Sequence, residues 1–150
     1  MAAVGIALLL LAASIAIHYE ALRLTSVRLV NLEIPCRLRI IIVLVAALLS
    51  HLVHVLLYAL TFVLIEKHTG LGTIDGPAGH GFSDAFYFSL ISYTTLGFGD
   101  LYPTGALRLL SGIEALNGLV MVGWTASMTY LSMERFWRVE VPGPQASDRD

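Results

Sequence analysis

Three long apolar runs decide what this 150-residue chain can fold into. Ala2 to Tyr19 carries no charge before Glu20. Ile40 to Ile65 has no formally charged side chain, and Gly105 to Met133 is interrupted only by Arg108 and Glu114. A bilayer's hydrocarbon core is about 30 Å thick and a helix rises about 1.5 Å per residue, so about 20 apolar residues cross it. Each run is that long or nearly so. Backbone polar groups in lipid must be satisfied within the segment, which makes each run a helix. With 57% of residues hydrophobic and only 13% charged, little chain is left for a soluble domain. The expected fold class is an all-α membrane protein with three transmembrane helices.

Composition removes several other readings. The net charge is −2 and no basic stripe is present, so no nucleic-acid partner is expected. The lone cysteine, Cys36, has no intrachain disulfide partner and is read as structural. No nucleophile–base pair and no phosphate loop stands out, so no enzyme activity and no organic cofactor are expected. The first run resembles a signal peptide in position, but nothing positively charged precedes it and it outruns a signal core; a retained helix is expected.

The cations set orientation. Arg23, Arg28, Arg37 and Arg39 lie between the first two runs, and Arg135, Arg138 and Arg149 follow the third. Only Lys67 and Arg108 belong to the segment joining the second and third. Arginine-rich connections stay cytoplasmic. The first connection and the C-terminus are therefore expected inside, and the N-terminus and residues 66–104 outside. Because these arginines flank a span rather than lining one at every third position, they do not make a voltage sensor.

The connections differ in kind. Glu20 to Arg39 mixes Leu22, Leu24, Val27 and Leu29 with charge, as an interfacial amphipathic helix or an extension of the first span would, and Pro35 should end it. Thr69 to Gly81 is glycine-rich, contains Pro77, and predicts an exposed turret over 66–82. From Phe82 the chain is apolar and aromatic but too short to span. Ser83 is the expected N-cap and Asp84 sits in the first turn, which predicts a re-entrant helix over 83–94. Non-helical backbone at that depth must line a watery path or be buried in protein.

That helix runs into Thr94-Thr95-Leu96-Gly97-Phe98-Gly99-Asp100, followed by Leu101-Tyr102-Pro103. The segment resembles the Thr-x-Gly-(Tyr/Phe)-Gly-Asp filter of the potassium-channel pore family, and Gly-Asp-Leu-Tyr-Pro resembles the bacterial two-span members. The resemblance covers about 40–133: outer helix 40–65, turret, pore helix, filter 94–100 and inner helix 105–133. Residues 1–39, the first span and its cytoplasmic connection, and the tail 134–150, expected to be disordered, lie outside it.

A potassium ion entering such a filter exchanges its water shell for rings of backbone carbonyls from four subunits. The resemblance implies K+ sites at the carbonyls of Thr95, Leu96, Gly97 and Phe98 and the Thr95 hydroxyl. Thr94, Gly99 and Asp100 support the filter, with Asp100 at its mouth. Aligned carbonyls need alternating backbone handedness, which suits Gly97 and Gly99. Phe98 is expected to pack on Phe86, Tyr87 and Phe88. One pore loop is a quarter of a filter, so the implied partner is the chain itself, in a four-fold homotetramer surrounded by membrane lipid. The implied function is passive K+ conduction, in a cell or inner membrane, with no voltage-sensing or nucleotide-binding module to set its gating.

Two departures from the pattern bear on filter stiffness. Phe98 stands where tyrosine is common, and Ile91 where some members carry a buried glutamate. In the third run, Gly118 and Gly123 are candidates for hinges or for close helix packing. Glu114 is expected either to face the cavity with Asn117 or to be captured by Arg108 or by a hydroxyl at a subunit interface. His51 and His54 share a helix face, which suits helix–helix hydrogen bonds or a pH-responsive role. His68 and His80 are expected on the turret surface. Rival readings are a weakly selective cation channel, a membrane protein holding a cofactor through His51 or His54, and a non-conducting regulatory subunit.

Overall fold

The computed structural model describes residues 2–30, 34–77 and 81–140. Four helices and one two-stranded ribbon follow in the order α1 (Ala2–Val30), α2 (Cys36–His68), β1 (Ile74–Asp75), α3 (Phe82–Tyr93), β2 (Tyr102–Pro103) and α4 (Leu107–Glu140). Within α1, α2 and α4, stretches of 26, 32 and 28 residues are long and apolar enough to cross a membrane. The chain is a multi-pass membrane protein.

Helix ends follow local chemistry. Pro35, which has no N–H to lose, caps α2 at φ −55° and accepts from the amides of Leu38 and Arg39. α1 runs unbroken past the first charges to Val30, so the start of the connection extends the span instead of lying flat beside it. Glu20 and Arg23 form an exposed ion pair on that extension, at 3.0 Å. α4 continues to Glu140, seven residues beyond the expected end at Met133. Its added residues are ordinary helix formers, and Pro142 is the first strong stop. The expected disorder from 134 therefore does not hold for residues 134–140, and the rest of the tail lies outside the described residues, as does His80.

The short helix α3 is wedged between α2 and α4, while α1 lies against those same two helices. Tyr58, Phe62, Phe88, Ile91, Leu107 and Leu110 form the centre of the core. Phe62 and Phe88 meet edge to face with ring centroids 5.3 Å apart, an arrangement that adds about 1 kcal/mol to simple burial.

The turret is less open than its composition suggests. Ile74 is buried and pairs with Pro103, while Asp75 pairs with Tyr102. Thr73 and Thr104 extend this clasp through amide, carbonyl and hydroxyl bonds of 2.8–3.2 Å. The strands approach so closely that a Cβ at Gly72 would strike the Thr104 carbonyl, and one at Gly105 would strike the Leu71 carbonyl. Glycine is there to let two backbones touch.

Candidate functional site

The site begins where α3 stops. Gly81, not Ser83, is the N-cap, and its extended backbone carries the chain into the helix without a side-chain cap. At the other end Thr94 closes the helix, its amide and its hydroxyl both donating to the Leu90 carbonyl at 3.1 and 2.7 Å. The next amides also turn back. Thr95 donates to Ser92, and Leu96 and Gly97 both donate to the Ile91 carbonyl. The N–H groups of the first half of the segment are thus spent on α3.

Beyond that point the backbone alternates. Thr95, Gly97 and Gly99 have φ of 59°, 51° and 81°, so every second residue is left-handed. Such alternation turns successive carbonyls toward one side of the strand. Gly97 and Gly99 reach this region with no steric cost, whereas an L-residue gives up about 1–2 kcal/mol, which falls on Thr95. Nothing in a β-branched threonine marks it in the sequence for that conformation. All seven residues from Thr94 to Asp100 are exposed on the single chain.

The outer end is tied by one side-chain bond. Tyr87 on α3 donates its hydroxyl to Asp100 Oδ2 at 2.8 Å, and that bond holds the phenol above its ordinary pKa. Phe98 is 68% exposed, and the aromatics expected to receive it have other partners: Phe86 meets Phe82, Tyr87 holds Asp100, and Phe88 meets Phe62.

Behind the Thr94–Asp100 segment the contacts are dense. Ser89 is fully buried; its hydroxyl lies 2.8 Å from the Val55 carbonyl and 2.5 Å from Glu114 Oε1. Glu114 is itself fully buried, and its Oε2 has no hydrogen-bond partner among the described residues. A hydroxyl does hold it, but one of the same chain and not one at a subunit interface; Arg108 is exposed. Asn117, expected beside it on the cavity, points inward as well and donates to the Tyr58 hydroxyl at 3.4 Å. Both side chains are buried within the single chain. α3 thus carries Ile91 and receives a buried carboxylate from α4. Gly118 serves close packing: a Cβ there would collide with the Tyr93 carbonyl. Gly123 faces open space.

A family model described as an ion channel matches residues 40–134, which is more than half the chain. The chain belongs to the ion channel family. Among curated relatives, Two-pore potassium channel 1 of Arabidopsis thaliana is 43% identical over 51 residues, covering 33% of this chain and 14% of that protein. The inward rectifier potassium channel Kirbac3.1 of Paramagnetospirillum magnetotacticum is 36% identical over 63 residues, 41% of this chain and 21% of the relative. Two-pore potassium channel 4 of Arabidopsis thaliana is 31% identical over 70 residues, 46% and 25% of the two chains. The channel therefore spans no more than a quarter of the length of these relatives, which are channels and not enzymes. No solved structure matches it.

The matched region leaves α1 outside, yet α1 brings the residue that sequence reasoning missed. His51 and His54 of this channel are joined by His18 from α1, each offering a ring nitrogen within 4.8 Å of the others. His51 Nδ1 and His54 Nδ1 both meet the Tyr93 hydroxyl, at 2.8 and 3.0 Å. His51 Nε2 and His18 Nε2 both meet the Thr125 hydroxyl at 3.0 Å. His18 Nδ1 meets Ser50 at 3.0 Å. The expected helix–helix hydrogen bonds are present, and they reach Tyr93, the last residue of α3. His68, exposed at the end of α2, stands apart from this group.

Proposed function

We propose that the chain is one of four identical subunits of a potassium-selective channel that conducts K+ passively. The observation that carries this reading is the left-handed backbone at Thr95, Gly97 and Gly99 within an exposed Thr94–Asp100 segment. With the amides of Thr94 to Gly97 turned back on α3, carbonyls of Thr95, Leu96, Gly97 and Phe98 are the groups left to replace an ion's water. One such segment is open on one side. Four around an axis close into rings of oxygens, and the exposure of these apolar residues on the isolated chain is what an unassembled quarter looks like. The names of the curated relatives support the choice of ion.

In this reading α2 is the outer helix, α3 the pore helix and α4 the inner helix. The negative end of α3 points toward the inner cavity and favours a cation there. The arginine distribution puts the filter and N-terminus outside a cell membrane and the C-terminus in the cytoplasm. Asp100, at the outer mouth, concentrates cations.

The test is ion flux into liposomes containing only this purified chain. Uptake selective for K+ over Na+ and blocked by barium is expected. Equal K+ and Na+ flux would replace this reading with a weakly selective cation channel. No flux from assembled tetramers, with or without a pH step, would count against conduction by this chain alone.

A further inference from the structure

The cluster formed by His18, His51 and His54 is unexplained by ion conduction. It sits among α1, α2 and α4, behind the filter rather than in its path. His18 and His54 are fully buried and His51 is half-buried. Three imidazoles are an uncommon thing to gather in a lipid-embedded interior, where each polar group needs a partner.

Hydrogen bonding accounts for all of the ring nitrogens but one. The links run Ser50–His18–Thr125–His51–Tyr93–His54, alternating hydroxyl and imidazole. A neutral imidazole has one donor and one acceptor nitrogen, and a hydroxyl donates once, so the chain can be satisfied in either of two directions. In one direction Tyr93 donates to His51, and His54 donates to Tyr93 through Nδ1. His54 Nε2 is then a bare lone pair. In the other direction that atom carries a hydrogen with nowhere to go. Either way it is buried and makes no well-aligned hydrogen bond among the described residues, the Ser14 backbone being the other polar group that acts on this ring. A cation that accepts lone pairs resolves this and uses the other two rings as well.

We propose that His18, His51 and His54 bind a borderline transition-metal cation of the Zn2+ type. Neutral imidazole suits such ions, and three protein ligands with an open fourth position is a familiar zinc arrangement. With metal–nitrogen bonds of about 2.0–2.1 Å, tetrahedral ligand nitrogens stand about 3.3 Å apart. The present separations, up to 4.8 Å, close to that by rotation of the rings about their side-chain bonds. The Tyr93 hydroxyl, already in contact with two of the rings, is the group placed to take the fourth position. Two of the ligands belong to α2 and the third to α1, so the ion would fasten the first span to the body of the pore domain.

Binding is read on the intact chain in detergent, purified without a histidine tag, by calorimetric titration with Zn2+ and by the visible absorption of Co2+. One metal per chain is expected, with Co2+ giving the intense bands of a tetrahedral site. His18→Ala and His54→Gln should each weaken Zn2+ binding at least about tenfold, while a variant carrying His68→Ala and His80→Ala should bind as the parent does. Size-exclusion profiles identify any variant that fails to fold, and His54→Gln, which keeps a polar side chain of similar reach, guards against that loss. The proposal is overturned by a folded parent chain that binds no Zn2+, by His18→Ala and His54→Gln that bind unchanged, or by binding that vanishes with His68 and His80. None of these readouts depends on ion flux, so they stand apart from the outcome of the conduction test.

Discussion

The front and the back of the Thr94–Asp100 segment are built on opposite principles. In front, seven consecutive residues are exposed and the information lies in backbone handedness. Behind, Ser89, Tyr93, Glu114 and Gly118 are packed so closely that a single methyl group has no room. The back is finished within one chain; in the proposed tetramer the front is completed by the other three. Substitutions should therefore separate cleanly: changes behind the segment unfold the protein, and changes in front spare the fold while removing the proposed conduction.

The sharpest test of this contrast is Gly118→Val. Its Cβ would be driven into the Tyr93 carbonyl, and neither backbone can yield. A loss of more than about 4 kcal/mol, or failure to fold, is expected in thermal unfolding in detergent. Next comes Glu114→Ala, which empties a buried site and leaves the Ser89 hydroxyl with the Val55 carbonyl as its partner, at a cost of about 2–4 kcal/mol. Glu114→Gln keeps an acceptor for Ser89 and should lose less than half as much. If the two behave alike, the side chain's polar role is wrong.

In front, Gly97→Ala meets open space but a left-handed backbone, so a stability loss of only about 1–2 kcal/mol is expected. K+ flux should nevertheless fall steeply. Retained selective flux would mean that handedness at Gly97 does not specify the ion path. The smallest effect belongs to Gly123→Ala, where nothing lies near the new methyl and a helix interior gains about 0.5–1 kcal/mol. A destabilised Gly123→Ala would show that this face is covered in the assembled protein.

The sequence carried the three spans because lipid demands uninterrupted apolar length, a requirement written in adjacent residues. It carried the filter segment for the same reason, since the backbone pattern of Gly97 and Gly99 is local. What it could not carry was pairing across the fold. The histidine pair on α2 was visible from its spacing, but nothing near His18 in its apolar run announces that it will meet them. Glu114 was expected at a cavity with Asn117, or held by Arg108 or by a hydroxyl at a subunit interface, and its partner is Ser89 on another helix of the same chain. Thr95 takes a conformation that its residue type disfavours, so only the surrounding structure could reveal it. Ile74 looked like part of an exposed turret because glycines surround it, yet those glycines are what let the clasp close over it.

The clasp between Ile74–Asp75 and Tyr102–Pro103 also limits how the molecule can move. It lies where α2 ends and α4 begins, and joins them like the pivot of a pair of compasses. With that end pinned, the two long helices are not free to spread there. Any widening between them must grow with distance from the pivot and be greatest near Cys36 and Glu140, at the far tips. A cross-link between those tips would restrain the motion, whereas one across the clasp would change nothing.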